Sequence, residues 1–223
     1  MESSKNIWYI SILLSAVAGY CDTVTFVAAD AVFSAHVTGN FILFAYQIVK
    51  HTDATAWIKL LTFPVFVLSV IVGGRLGKDP EKRYNLLFTE GLMLLLAGGL
   101  AALIAFYWDF PWGKHLVAMI TVAAMGLQNA FGKLYAKETF GPTTMMTGNV
   151  TQASLDLGAV ITSAFTDTLG LASLKKSGAT IFGFLGGCIA GAVLAKYVGL
   201  HVLVLPGFVL LGCYLLSKRA ANA

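Results

Sequence analysis

The sequence predicts an all-α integral membrane protein: six transmembrane helices plus two re-entrant or broken segments, arranged as two inverted structural repeats. Three observations carry this. Only 12 % of the 223 residues are charged and 57 % are apolar, whereas ordinary soluble domains are about 25 % charged. A soluble chain of this length could not hide so much apolar surface, and mean hydropathy stands at +0.78. Apolar stretches of bilayer-crossing length recur along the chain, and a short polar motif is written twice at corresponding places.

The spanning candidates, each roughly 20 residues, lie at about 7–29, 56–77, 86–107, 115–135, 177–197 and 199–217. The first follows "MESSKN" and contains Ala16-Val17-Ala18, which has the form of a signal-peptidase site. Against cleavage, the same segment is the first copy of a repeat whose second copy lies in mid-chain. Two shorter, more polar segments, about 31–50 and 139–162, each hold one Thr-Gly-Asn. The hydrophilic "GKDPEKRYN" (Gly77 to Asn85) separates the second and third spans. "YWDFPWGKH" (Tyr107 to His115) is a second break, with the Trp/Tyr pattern of a membrane–water interface.

The repeat is read from three matches in the same order. "AGYCD" (Ala18 to Asp22) matches "MGLQN" (Met125 to Asn129) at an offset of 107, and "HVTGN" (His36 to Asn40) matches "MMTGN" (Met145 to Asn149) at 109. "FVLSVIVGGRLG" then matches "FLGGCIAGAVLA" at 118, pairing Ser69, Gly73 and Gly77 with Gly187, Gly191 and Ala195. Growing offsets are what two diverged halves with loop insertions would give, so residues 1–110 form the first repeat and 111–223 the second, within one membrane domain. The small residues four apart line one helix face and allow close backbone approach, so these helices read as a packing seam.

Orientation follows from charge. If the Thr-Gly-Asn segments crossed fully, eight spans would leave Lys and Arg split 8 to 7. If they re-enter, six spans put 11 on one side and only Lys50, Lys59, Lys114 and Lys196 on the other. The positive-inside rule then makes the rich side cytoplasmic, with both termini there. Three spans per half also invert the second copy relative to the first, as in many transporters.

Non-helical backbone at membrane depth is tolerated only where protein or water surrounds it. Gly39 and Gly148 permit unusual dihedrals, and Thr38 or Asn40, and Thr147 or Asn149, can cap a new helix. Two helix starts facing each other from opposite leaflets would line one central cavity, and a helix N-terminus suits an anion or polar acceptor. The bland alternative is a tight surface turn with Asn capping; duplication of the triplet favours the site. The predicted substrate-binding residues are therefore Thr38, Gly39, Asn40, Gln128, Asn129, Thr147, Gly148 and Asn149. Asp22, a carboxylate within the first span, is costly enough to point to function and is the predicted coupling group, with His36 as a pH-sensitive gate and Asp156 as a weaker cavity residue. Glu90 is expected near the cytoplasmic interface beside Arg83.

Other chemistries find little support. Cys21, Cys188 and Cys213 lie in apolar stretches without metal or disulfide spacing. No metal site and no cofactor are expected. The formal charge of +4 is scattered, so no nucleic acid is expected as a partner. "AGYCDTVTF", "HVTGN", "MGLQNAFGK" and "MTGNVTQASLDLG" together resemble the YoaK-like family of bacterial inner-membrane proteins, a domain of unknown function. The resemblance implies a small polytopic inner-membrane protein with about six spans and brings no established substrate. The family's second motif region often carries more arginine than "FGKLYAKETFGPTT" does here, which weakens an anion preference.

The expectation is thus a membrane transporter or channel, not an enzyme, for a small polar solute, an anion being one candidate, with proton coupling through Asp22. Its partners would be the solute and the lipid bilayer, and a homo-oligomer is compatible with the sequence. Two alternatives are a membrane-embedded enzyme acting on a lipid-soluble substrate, which lacks the usual His or carboxylate clusters, and a non-transporting scaffold or sensor.

Overall fold

The computed structural model describes residues 2–50, 55–107, 110–136, 139–140 and 142–222, with side chains described between residues 7 and 216 of these. Of the cations counted above, Lys137 lies outside the described residues, as do the side chains of Lys5, Lys218 and Arg219. The described residues form eight α-helices: α1 (Glu2–Ala28), α2 (Gly39–Lys50), α3 (Ile58–Leu76), α4 (Asn85–Tyr107), α5 (Gly113–Leu134), α6 (Met146–Thr162), α7 (Thr168–Val198) and α8 (Val204–Asn222). Short 3-10 turns at Pro80–Lys82 and Leu200–Leu203 precede α4 and α8.

Five helical stretches are long and apolar enough to cross a bilayer: Ile7–Ala28, Ile58–Leu76, Pro80–Tyr107, Gly113–Leu134 and Thr168–Val198. Leu200–Leu216 is a shorter apolar helix. The chain is therefore an all-helical protein of membrane type. α2 and α6 have 12 and 17 residues, which rise about 18 and 25 Å, short of a hydrocarbon core of ~30 Å.

Local sequence explains the ends. α7 begins at Thr168, earlier than the hydropathy of its apolar run suggests, because the Asp167 carboxylate accepts from the Gly170 N–H at 2.9 Å and caps it. Good helix formers such as Leu171, Ala172 and Leu174 then carry the helix past the charged Lys175-Lys176 pair. It ends at Gly199, whose φ of 82° only glycine adopts without strain.

α1 lies along α7, α3 along α5, and α4 packs between α5 and α8, while α6 folds back on α7. Small residues let the backbones touch. A Cβ at Gly183 would lie 2.9 Å from the Ile12 carbonyl oxygen, one at Gly187 would overlap that of Ala16, and one at Gly191 would lie 2.6 Å from that of Tyr20. Both numbers rise together, so α1 and α7 run parallel. α3 and α5 are parallel for the same reason: Ser69 donates to the Ala123 carbonyl, and Gly73 and Gly77 sit against Ala130 and Leu134. α1 and α5 run antiparallel, since Asp30 meets Lys114 and His115 at one end while Gln128 donates to the Leu14 carbonyl further along.

The buried Tyr20 hydroxyl donates to the Val202 carbonyl at 3.1 Å and ties α1 to the turn before α8. Tyr20→Phe removes that bond and is expected to cost about 1 kcal/mol, a drop of a few degrees in thermal unfolding of the detergent-solubilised protein.

Candidate functional site

Two loops turn back into the helical body from opposite ends of α1. The first, residues 29–38, leaves α1 through Asp30 and Ala31, both at positive φ (55° and 57°). It then runs back beside α1, where Asp22 Oδ1 accepts from the backbone N–H groups of Ala35 (2.7 Å) and His36 (3.1 Å). Asn40 closes the loop. Its Nδ2 donates to the Phe33 carbonyl at 2.8 Å and to Thr62 Oγ1 at 3.0 Å, and its Oδ1 accepts from the Phe33 N–H at 2.9 Å. Asn40 is fully buried.

The described residues of the second loop, 135–136, 139–140 and 142–145, dock near the other end of α1. The Phe140 N–H donates to Ser11 Oγ at 2.9 Å. Gln128 Nε2, on α5, bridges the Leu14 carbonyl (2.8 Å) and Thr143 Oγ1 (2.9 Å), joining α1, α5 and the loop. Asn149 Nδ2 donates to the Pro142 carbonyl at 2.8 Å, seven residues back, as Asn40 does to Phe33.

This geometry changes the role of the Thr-Gly-Asn motifs. Both mark helix starts, but Asn40 and Asn149 do not cap them or face one shared pocket; each amide is committed to closing its own loop. Gly39 and Gly148 do not adopt positive φ, a conformation that among the described glycines only Gly199 takes. At Gly39 a Cβ would lie 2.9 Å from the His36 ring and 3.1 Å from the Phe33 ring, so these rings would have to shift, whereas Gly148 has open surroundings. The first N–H groups of α2 are already bonded, Gly39 to His36, Asn40 to Val37 and Phe41 to Thr38 carbonyls. At α6 the N-cap Met145 supplies no side-chain acceptor. Thr38, His36, Thr147 and Gly148 are exposed. Asn129 is half-buried and donates along its own helix to Met125 at 3.4 Å. Asp156 stays on α6, where Oδ1 accepts from Gln152 at 2.8 Å. The predicted residues thus fall into two groups, docked at points on α1 eight residues apart (Leu14 and Asp22), about 12 Å along the axis.

Buried polar atoms without partners lie on the loops and helices that meet here. Among the described residues, Ser15 Oγ, Ser34 Oγ, Gln128 Oε1 and both carboxylate oxygens of Glu90 lack hydrogen-bond partners. Ser15, Ser34, Gln128 and Glu90 are all 0 % exposed. Sequence reasoning placed Glu90 near Arg83 at the membrane surface. The antiparallel α4–α5 pair instead turns it inward: Tyr84 meets Phe131 (ring centroids 6.1 Å apart) and Ile104 meets Gly113, so Glu90 lies level with the Met125–Gln128 turn. Arg83 remains at the foot of α4, over the Tyr84 ring at 4.9 Å. The next residue, Gly91, is pressed against α8, 3.1 Å from a Cβ position to the Gly207 carbonyl. The one signal in the sequence was a glutamate followed by glycine inside an apolar run.

A separate cleft of about 390 Å³ opens at the other end, lined by Asp30, Thr55, Pro111, Trp112, Lys114 and His115. There Asp30 receives Lys114 (2.7 Å) and His115 (3.0 Å), and the buried Lys59 donates to the Asp30 carbonyl at 2.8 Å.

A family model described as "Protein of unknown function (DUF1275)" matches residues 10–216. No curated protein and no solved structure matches the chain.

Proposed function

Because the chain belongs to the DUF1275 family, whose members are described as proteins of unknown function, we propose its function from its own geometry: a membrane transporter or channel for a small polar solute, which passes the buried, unpartnered polar groups of the helices that the two loops dock on. One observation carries this reading: loops from opposite ends of α1 dock on helices that carry unpartnered buried oxygens. Irregular backbone survives at membrane depth only beside protein or water, and each unsatisfied buried polar group costs about 1–3 kcal/mol. A fold that keeps both is suited to passing something polar.

We read the chain as two inverted copies, 1–110 and 111–223, with α8 as the sixth span. Support comes from equivalent contacts. A Cβ at Gly19 would meet the Phe184 carbonyl and one at Gly126 the Phe66 carbonyl, while Asn40 and Asn149 close their loops in the same way. The first helix of each copy lies on the third helix of the other, so the α1–α7 and α3–α5 pairs are natural bodies for a rocking motion. With six spans, Arg75, Lys78, Lys82, Arg83, Lys133, Lys175 and Lys176 share one end. The positive-inside rule makes that end cytoplasmic in a bacterial inner membrane. An anion preference rests on the start of α6, where exposed Thr147 and a helix N-terminus without a side-chain cap favour negative charge.

The test is uptake into proteoliposomes of a panel of small labelled anions and neutral polar solutes, with and without a pH gradient. At least one solute is expected to enter faster than into protein-free liposomes, and Gln128→Leu should slow it about tenfold, ~1.4 kcal/mol of barrier. If folded protein moves nothing across the panel, the reading fails.

A further inference from the structure

We propose that Glu90 is the proton-carrying site of the transport cycle, taking up one proton from water on one side of the membrane and releasing it on the other; the inference rests on the transport reading and supplies its coupling ion. In the step, an O–H bond forms between a Glu90 carboxylate oxygen and a proton from water, and the same bond breaks on release. No redox partner is needed.

Three observations point to Glu90. Its side chain is 0 % exposed in the middle of the α1–α4–α5–α8 body, and neither carboxylate oxygen has a partner among the described residues. A carboxylate in such a place persists only with a proton or a cation. No salt bridge reaches it among the described residues. The polar and titratable groups that the helices packed around it carry near its level are acidic or neutral: Cys21, within electrostatic range, and beyond it Asp22 on α1; Cys213 and Tyr214 on α8, the latter with its ring tilted against Phe88 at a centroid distance of 4.9 Å; and Gln128 on α5. The cations of the neighbouring helices, Lys114 and Lys133 on α5 and Lys59 and Arg75 on α3, sit in first or last turns.

The geometry also selects a proton over a metal cation. Hard cations take about six oxygen ligands. Here α1, α4, α5 and α8 are continuous helices whose carbonyls bond within the helix. Among the described residues, the other unpartnered buried side-chain oxygens on these four helices are Gln128 Oε1 and Ser15 Oγ, too few for such a shell. Asp22, by contrast, has Oδ1 committed to two loop N–H groups.

The experiment uses the full chain in lipid and the proton itself as probe. Infrared difference spectra across a pH titration should show a carboxylic-acid carbonyl band that vanishes in Glu90→Gln and shifts in Glu90→Asp, with Glu90→Gln matching the parent in thermal unfolding. Proton uptake into pyranine-loaded proteoliposomes, driven by a potassium diffusion potential, should fall tenfold or more in Glu90→Gln and be partly kept by Glu90→Asp. Absence of a titrating band belonging to Glu90 overturns the proposal, and so does a band displaced by sodium at constant pH. A Glu90 band and proton uptake without movement of any solute would keep the proton site while removing the solute-transport reading.

Discussion

Gly187→Ala is expected to break the α1–α7 pair, whereas Gly186→Ala, one residue away, leaves the protein intact. The difference lies in what a single methyl group meets. At Gly187 it overlaps the backbone carbonyl of Ala16, with the Ala16 Cα at 2.9 Å; at Gly186 nothing lies within 4 Å. A backbone carbonyl held by its own helix cannot swing aside as a flexible side chain can, so the two helices must separate along much of their length. Overpacking of this kind costs about 3 kcal/mol or more, while Gly186→Ala should gain up to about 1 kcal/mol from helix propensity. Gly73→Ala falls between them, because the atom it meets at 2.6 Å is the Ala130 methyl. Thermal unfolding followed by size exclusion in detergent would rank the three. Gly187→Ala unfolding at the parent temperature would mean that α1 and α7 do not pack at this register.

The same glycines show what a sequence can and cannot tell. Spanning segments were legible because crossing a bilayer imposes a local composition over a fixed length, and α3, α4 and α5 fall within two residues of the expected bounds. The spacing of Gly187, Gly191 and Ala195 announced a packing face. Its partner was not legible: the face meets Ala16 and Tyr20, some 170 residues away in the chain. Thr-Gly-Asn was legible as a helix start, but the direction of the Asn amides depends on where the preceding loop runs, and that is set by Asp22 and Gln128 on other helices. Glu90 was misplaced for a related reason. Its nearness to Arg83 in sequence suggests a wet interface, and only the packing of α5 and α8 around it removes it from water.

Asp22→Ala is expected to release the first loop, and Asp22→Asn to keep it docked. Without the carboxylate, the N–H groups of Ala35 and His36 lose the acceptor that now receives them at 2.7 and 3.1 Å. One buried and one part-buried donor left without partners cost about 2–3 kcal/mol together, enough to let residues 34–36 leave α1. An asparagine still presents a carbonyl oxygen at the same place, so the loop keeps its anchor while the charge is gone. Ser34 reports the difference because it is fully buried in the docked loop. A cysteine introduced there, Ser34→Cys, should resist a membrane-impermeant maleimide in the parent and in Asp22→Asn and react readily in Asp22→Ala, with the labelled position read by peptide mass mapping. Equal labelling in all three would show that Asp22 does not hold the loop. The expected pattern divides the labour between the two buried carboxylates: Asp22 is held by backbone donors and anchors the loop, while Glu90, whose oxygens have no partner among the described residues, is the group that the proposed transport cycle would protonate.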